Sequence, residues 1–424
     1  MKYLGLTLTL IGAVAALVNP AFGQSQVHGH DCEAKREVPT QMLGESTYNR
    51  LSRIYEDIGD EKYEEAYAAL ETLAGRRLND FEQANVAQAM GFVRASQERW
   101  DEAIRHLSRA IELDQLPNRQ HFEMILQRAQ LYNVQERYDE ALRELDIWFC
   151  VVEDAEAKQQ ADVWVLKASL HVQNEEFREA VNAIDTAIEM SEDPEESWYQ
   201  LKLSMHFELE EFHDSVDTLK ILIDMNPTRK DYWVQLSSAY MQLEDEGNAM
   251  AALRLAYRKG LLDREQEYVQ LSSLLQAQGV PRQAAEIFDE GLNREIIQGT
   301  RRNWEMVAGS WYEARNMEKA LHAYEQAGAV SDDGKLDLQR AFILVNKERW
   351  EDALEALDRA LEKGGLTETE TGNAHLLTGM SHFNRGQFES AEQAFNQAAN
   401  YGRLQSAARE WLNHIRQARE RQAS

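Results

Sequence analysis

Apolar residues along this chain recur three and four positions apart, which is the spacing of one face of an α-helix. The segment 231–259 shows the pattern clearly. Trp233 and Tyr240 fall on one face of a first helix, and Leu253 and Ala256 fall on one face of a second helix. A short polar turn separates the two, so the segment is predicted to be a helix–turn–helix unit.

A recurring phrase marks the start of the second helix in these units: an aromatic residue, two acidic or polar residues, then Ala or Ser. Successive copies, including weaker ones, are 33 to 39 residues apart. A period of this length is typical of small helical units that stack and share one continuous core. We count ten units. Their phrases end at Ala66, Ala103, Ala141, Ala180, Ser215, Ala249, Ala284, Ala320, Ala353 and Ala391.

The small residue that ends each phrase has a steric role. Ala on the second helix and a small residue on the first helix allow the two helices to approach closely, while neighbouring aromatic side chains fill the remaining volume. Gly91 and Gly379 provide the small residue of two first helices, and Ala or Ser provides it in most others. The fifth unit departs from the pattern, with Leu203 on its first helix and Ser215 on its second.

Together these residues resemble the tetratricopeptide repeat, whose signature of Trp, Leu-Gly, Tyr, Ala, Phe and Pro extends over about 34 residues. The resemblance covers residues 47–403. It implies an all-α fold, a right-handed superhelical solenoid of about ten repeats. Residues 404–424 are predicted to form a capping helix and tail, because Trp411 and Ile415 share an apolar face and an array must close its exposed end.

In the family that the chain resembles, first helices line the concave face and partners lie there. The resemblance thus implies a partner-binding stripe on the first helices that suits an extended peptide or an amphipathic helix. The alternative is that these side chains pack against neighbouring first helices. The predicted partner-binding residues are Phe207, Met241, Tyr312, Phe342, Met380 and Phe383.

The charge of the chain narrows the class of partner. It has 73 acidic and 45 basic residues, for a formal net charge of −28. Nucleic acids and anionic membranes are recognised by clustered cations, so neither is an expected partner. The sequence also contains no G-x-S-x-G, H-E-x-x-H, C-x-x-C or phosphate-binding glycine loop. We therefore expect a protein-binding chain that is not an enzyme and uses no cofactor.

The first 23 residues have the features of an export signal. Lys2 is followed by an uncharged apolar run over 4–18, Pro20 ends that run, and small residues precede Gln24. The run is shorter than the roughly 20 residues that a membrane span needs. The sequence therefore predicts a cleaved signal peptide at 1–23 and a periplasmic mature protein without a membrane span.

Residues 24–46 lack helical periodicity and are predicted to be an extended lead-in. Cys32 lies in this segment, and the chain's other cysteine is Cys150. In an oxidising compartment the two cysteines can form a disulfide, and otherwise they remain separate thiols. A metal site on His28, His30 and Cys32 is a weaker alternative, because the segment offers three ligands at most. We therefore expect no metal.

The lead-in carries a second, short resemblance. Cys32, the segment 38–42 and the segment 48–51 are similar to the start of exported repeat proteins associated with the TonB–ExbB–ExbD energy-transducing system. This resemblance implies an accessory role in TonB-dependent transport. The sequence as a whole predicts an exported interaction scaffold. The alternative is a chaperone-like factor for the assembly or quality control of envelope proteins.

Overall fold

The computed structural model describes residues 26–28, 30–32, 36–38, 40–152 and 160–423, so the predicted signal peptide lies outside the described residues. Within these ranges the chain is almost entirely helical. It forms one two-stranded antiparallel hairpin, β1 (Gln26–Val27) and β2 (His30–Asp31), in which Gln26 pairs with Asp31. None of the described helices is both long enough and apolar enough to cross a membrane.

Twenty helices alternate as the first and second helices of ten repeats, and a final helix follows them. The first helices are α1 (Glu45–Gly59), α3 (Asp80–Ser96), α5 (Asn118–Val134), α7 (Ala161–Gln173), α9 (Glu196–Glu208), α11 (Lys230–Gln242), α13 (Glu265–Ala277), α15 (Arg301–Glu313), α17 (Lys335–Asn346) and α19 (Glu368–Asn384). The second helices are α2 (Tyr63–Ala74), α4 (Trp100–Leu113), α6 (Tyr138–Val151), α8 (Phe177–Met190), α10 (Phe212–Met225), α12 (Glu246–Arg258), α14 (Pro281–Asn293), α16 (Met317–Ala329), α18 (Trp350–Lys363) and α20 (Phe388–Ala398). The final helix is α21 (Gln405–Ala423).

This arrangement confirms the predicted all-α fold of about ten helix–turn–helix repeats. The array begins two residues before its predicted start at 47, since α1 begins at Glu45. The described residues divide into two compact units, the first ending at Glu211 and the second beginning at Phe212. In each unit, successive helices pack on one another along the chain.

Small buried residues hold the two helices of a repeat together. In the eighth repeat, Ala308 on α15 and Ala320 on α16 are both fully buried. In the second repeat, an added Cβ at Gly91 would lie 2.8 Å from the Leu107 side chain and 3.4 Å from the carbonyl oxygen of Ala103. Helix backbones this close leave no room for a longer side chain.

Each first helix ends in the same turn. The second residue of the turn is left-handed, with φ between 55° and 73°, and the backbone N–H of the third residue donates to a carbonyl oxygen five residues earlier. This is the Schellman motif, in which the left-handed position is usually glycine. Here it is most often glutamate. The left-handed residues are Glu61, Glu98, Glu136, Glu175, Glu210, Glu244, Gly279, Arg315, Glu348 and Gly386.

Side chains in these turns also join one repeat to the preceding one. In four phrases the first acidic residue contacts a side chain in the turn of the following repeat, so it is not merely a solvated surface charge. Within each unit these polar contacts form a ladder between neighbouring repeats. Three are hydrogen bonds, from Gln135 to Asp101, from Asn174 to Asp139 and from Arg349 to Glu318, and the fourth is an ion pair between Arg385 and Glu351, all at 2.9–3.0 Å.

The lead-in lies against three repeats of the first unit. A disulfide joins Cys32 to Cys150 near the end of α6, with the two Cα atoms 4.7 Å apart. Closer to α1, Arg36 Nη1 donates to Asn118 Oδ1 over 2.9 Å, and the Gln41 amide donates to Gln115 over 2.8 Å. The lead-in therefore extends back from the third repeat toward the first and is covalently fixed at its far end.

Helix α21 covers the apolar end of the last repeat. The Trp411 ring stacks on that of Phe395, with centroids 5.5 Å apart and planes 9° apart. Ile415, one turn further along, is 1% exposed. Arg419 Nη1 then donates to Glu392 Oε2 on α20 over 2.8 Å. Apolar packing inside and an ion pair at the rim together give α21 the capping role that the sequence predicts.

Substituting Gly379 and Gly309 by Ala tests the role of close helix approach, because we expect the two changes to shift the free energy of unfolding in opposite directions. We expect Gly379→Ala to lower the free energy of unfolding by about 1–3 kcal/mol, because its Cβ would lie 2.5 Å from the buried Phe395 ring. A Cβ added at Gly309 would meet open space, so Gly309→Ala should raise the free energy of unfolding by about 0.5–1 kcal/mol, because Ala favours the helix more than Gly does. Urea unfolding of both variants is the measurement, and equal effects of the same sign would contradict the assignment.

We also expect the disulfide to contribute to stability. Replacing Cys32→Ser should lower the free energy of unfolding by about 2–4 kcal/mol, because the unfolded chain loses the constraint of a loop that spans 118 residues. Thermal unfolding with and without a reductant provides the measurement. Wild-type protein in reductant is the control and should match the variant, which itself should not respond to reductant. Two titratable thiols in the denatured, unreduced wild type would rule the bond out.

Candidate partner-binding surfaces

The residue directly after the small residue of a first helix occupies an equivalent place in every repeat. Phe342 follows the fully buried Ala341 and is 40% exposed, and Phe92 follows the buried Gly91 and is 49% exposed. The first helices thus bury one residue against their own second helix and direct the next one outward. Along the chain this place holds Tyr55, Phe92, Gln130, Ser169, Ser204, Ser238, Ser273, Gly309, Phe342 and Met380.

Three of the predicted partner-binding residues form an exposed set in the second unit, which we call the second-unit surface. Met241 on α11, Tyr312 on α15 and Phe342 on α17 are 37%, 47% and 40% exposed. Among the described residues they are the only large apolar side chains exposed on first helices of this unit. Scattered apolar residues are ordinary on a surface, but these lie on the same layer of helices.

Neighbouring polar contacts fix the helix that carries Tyr312. The Gln276 amide on α13 donates to Glu313 Oε2 on α15 over 3.1 Å, and Ser310 Oγ donates back to Gln276 Oε1 over 3.3 Å. On the opposite side of α15, the buried Trp311 ring donates its indole N–H to Asp289 Oδ2 over 2.9 Å. These bonds connect α15, which carries Tyr312, to α13 on one side and to α14 on the other.

The electrostatic environment of the second-unit surface is acidic near Tyr312. Glu305 and Glu313 are exposed on the same helix as Tyr312. Burial raises the pKa of Tyr324 on the adjoining helix α16, and the charges of Glu305 and Glu313 raise it further. The carboxylates of Glu305 and Glu313 favour a partner that places a cation beside its apolar contact.

The other three predicted residues have different surroundings. Phe383 packs against Trp411 of α21 and Phe388 of α20, with ring centroids 5.4 Å and 5.6 Å away, and Met380 adjoins the same cluster. Both are half-buried in the cluster that includes Phe395 and Ile415, and the ring contacts of Phe383 are with α20 and α21 rather than with a neighbouring first helix. Phe207 is half-buried in the first unit. Binding at all six positions stays a prediction.

The sequence interpretation overlooked a comparable set in the first unit. Tyr48 and Tyr55 on α1 and Phe92 on α3 are 59%, 49% and 49% exposed, and we call them the first-unit surface. The helices α1 and α3 contact each other directly. The signal was present in the sequence, because Tyr55 and Phe92 lie eleven residues before the phrase alanines Ala66 and Ala103, as Phe342 lies before Ala353.

The lead-in provides little for the alternative metal site. Cys32 is bonded to Cys150, so its sulfur is not a free thiolate. His28 Nε2 lies 3.6 Å from Asp146 Oδ2 on α6, and Lys167 Nζ lies 2.9 Å from the other oxygen of that carboxylate. Because the thiolate is the ligand form of cysteine, the disulfide removes one of the three proposed ligands. The contacts of His28 instead attach the lead-in to the third repeat.

Comparison with known proteins identifies the repeat. Two family models described as tetratricopeptide repeat match the chain, one over residues 338–408 and the other over residues 161–194 and 231–258. These segments include the phrases that end at Ala180, Ala249, Ala353 and Ala391. A comparison with curated proteins gives no significant match.

Solved structures with similar folds are also tetratricopeptide repeat proteins. One from Parabacteroides merdae is 15% identical, and the alignment covers 63% of this chain and 99% of that chain with a TM-score of 0.36. YrrB, described as having an unusual peptide-binding site, is 14% identical, with 45% and 96% covered and a TM-score of 0.35. The TPR2AB domain of yeast Sti1, solved in complex with pHSP90, is 14% identical, with 60% and 96% covered and a TM-score of 0.33. The family models identify tetratricopeptide repeats within residues 161–194, 231–258 and 338–408 of this chain.

Proposed function

We propose that this chain is an interaction scaffold that binds a segment of a partner protein on the second-unit surface. The observation that carries the proposal is the exposure of Met241, Tyr312 and Phe342 on first helices whose other large apolar side chains are at least partly buried. Proteins built from tetratricopeptide repeats are protein–protein interaction scaffolds, and some bind peptides. No catalytic step is part of the proposal.

The surface favours a particular kind of segment. Aromatic and Met side chains at separate first helices suit a partner that inserts apolar anchors at intervals, as an extended peptide or one face of an amphipathic helix does. Glu305 and Glu313 beside Tyr312 favour a Lys or Arg next to the anchor. The partner segment is therefore apolar and basic in composition.

We also propose that the chain works in the periplasm, after removal of residues 1–23. The apolar run at 4–18 and the small residues before Gln24 support export. The Cys32–Cys150 disulfide agrees with an oxidising compartment. Within that compartment, the short resemblance of the lead-in favours an accessory role in a TonB–ExbB–ExbD system.

A chaperone-like role in envelope assembly or quality control is the second candidate. The first-unit surface favours it, because Tyr48, Tyr55 and Phe92 give the chain a second exposed aromatic set. Two separate apolar surfaces suit the retention of several unfolded segments. A scaffold should retain one or two partners from an envelope extract, whereas a chaperone should retain many, so the number of retained proteins separates the two functions.

Replacing the exposed aromatic side chains of the second-unit surface should weaken partner binding. A peptide selected from a random library against the wild-type chain serves as the probe, and its affinity is measured by titration calorimetry. We expect Tyr312→Ser and Phe342→Ser each to weaken binding by about tenfold or more, because buried aromatic anchors contribute most of the energy of such interfaces. In an envelope extract, TonB-system proteins should bind the wild type and be lost from the double variant.

The matched control for this experiment is Val330→Ser. Val330 is 51% exposed, which is similar to Tyr312 and Phe342, but it directly follows the second helix α16 and so lies outside the first helices. Its substitution should leave the peptide affinity unchanged. Equal affinity of the wild type and the Tyr312→Ser/Phe342→Ser variant would overturn the assignment of the second-unit surface. Loss of binding in Phe92→Ser alone would instead place the site in the first unit.

Export makes a separate prediction. Protein recovered from the periplasmic fraction of a bacterial host should begin at Gln24, as shown by its intact mass and N-terminal sequence. Replacing Leu10→Arg places a charge in the apolar run and should leave an uncleaved precursor inside the cell. A wild-type product that retains residues 1–23 and stays in the cytoplasmic fraction would refute cleavage without affecting the proposed binding surface.

A further inference from the structure

A small cavity in the second unit has a composition unlike that of the second-unit surface. It measures about 200 Å³ and lies among α14, α15 and α16. Tyr312 is exposed on the first-helix layer, whereas its neighbour Trp311 is buried and contributes to this cavity. The cavity is therefore a separate site. Its charged and aromatic lining residues are Asp289, Trp304, Trp311, Lys319 and His322.

A carboxylate is held at one wall of the cavity. Asp289 Oδ2 accepts the indole N–H of Trp311 over 2.9 Å, and the Asp289 side chain is 27% exposed. Burial raises the pKa of Asp289, while Trp311 and Lys319 counteract this effect. The contacts of Asp289 thus do not fully offset the removal of its charge from water, and a further cation near it would be stabilised.

An ammonium group already lies in this environment. Lys319 Nζ is 4.0 Å from the centroid of the Trp311 ring and 3.5 Å from Asp289 Oδ2. Both distances are favourable for a cation, since an indole face attracts positive charge within about 6 Å. The Lys319 side chain is 52% exposed, however, and it enters from the solvent side. Moving it into water costs little packing.

Two more rings complete the walls. Trp304 and His322 meet edge to face, with centroids 6.4 Å apart. Together with Trp311 they provide aromatic surfaces around the carboxylate. This is the combination by which proteins recognise quaternary and methylated ammonium groups, in which the rings attract the charge and solvate the methyl groups. An anion would instead face the Asp289 charge.

We propose that this cavity binds an organic ammonium group, which takes the place of the Lys319 ammonium between Asp289 and the indole rings. Lys319 acts as an internal occupant that satisfies the carboxylate when no ligand is present. The same chemistry is found in a free quaternary amine and in a methylated lysine of a protein, and the two sources can be separated experimentally. The site does not depend on the function proposed for the second-unit surface.

Choline is the first probe, and its uncharged carbon analogue 3,3-dimethylbutan-1-ol is the matched control ligand. Binding is followed through the indole N–H resonances of Trp304 and Trp311 in ¹⁵N-labelled full-length protein. We expect saturable shifts with choline and none with the analogue. Lys319→Met should tighten choline binding several-fold by removing the internal competitor. Asp289→Asn should weaken it by about tenfold or more, because the amide keeps the Trp311 hydrogen bond but loses the charge.

Val330→Ser is the control variant, since Val330 is exposed, does not line the cavity and should leave choline binding unchanged. Circular dichroism of each variant checks that the helices are intact. A peptide with trimethyl-lysine that binds more tightly than choline would assign the site to a protein ligand, and the reverse order would assign it to a free amine. The proposal is overturned if choline causes no saturable shift in Lys319→Met, if the uncharged analogue binds equally well, or if Asp289→Asn binds choline as the wild type does.

Discussion

Close contact between the two helices of a repeat is the constraint on which the structure of each unit depends. A small residue on the first helix faces Ala or Ser twelve positions later on the second helix, as Ala308 faces Ala320. These two small residues allow the helix backbones to approach closely, and larger side chains such as Phe395 fill the space between the helices. Because the small residue is turned toward the second helix, the following residue is at least partly exposed in every repeat. Packing inside the repeat therefore determines which side chains a partner can reach.

Polar contacts at the turns arrange these hairpins into a stack. A left-handed residue, usually Glu, lies in the turn after each first helix, and the second helix begins only two residues later. Left-handed backbone is unfavourable for residues other than glycine, and the Schellman hydrogen bonds help to offset that cost. The turn then donates to the first phrase acid of the preceding repeat, as Asn174 does to Asp139. The phrase thus contributes both to packing within a repeat and to contact between repeats.

Much of the fold could be predicted from the sequence, because the period, the small residues and the phrases all repeat. The binding surface could be predicted only in part. Helical spacing assigns Leu338, Phe342 and Val345 to the same side of α17, yet Leu338 and Val345 are buried and Phe342 is exposed. The difference depends on how neighbouring helices cover each residue, which no single helix encodes. Phe383 is a further example, because the capping helix α21 adds Trp411 against it.

The ladder at the turns has a consequence for how such a chain can change in length. At Asp101, Asp139, Glu318 and Glu351 the turn carries the cationic or amide group and the phrase carries the acid, whereas Arg178 of the fourth phrase donates to Glu211 of the following turn. One repeat can therefore be removed or duplicated with matched neighbours at this edge only where the junctions on its two sides have the same arrangement. The first three repeats are an exception. The lead-in contacts Glu82 of the second repeat and Asn118 of the third, and it is bonded to Cys150 of the third repeat. Loss or gain of a repeat before Cys150 would therefore change the distance that the lead-in must span.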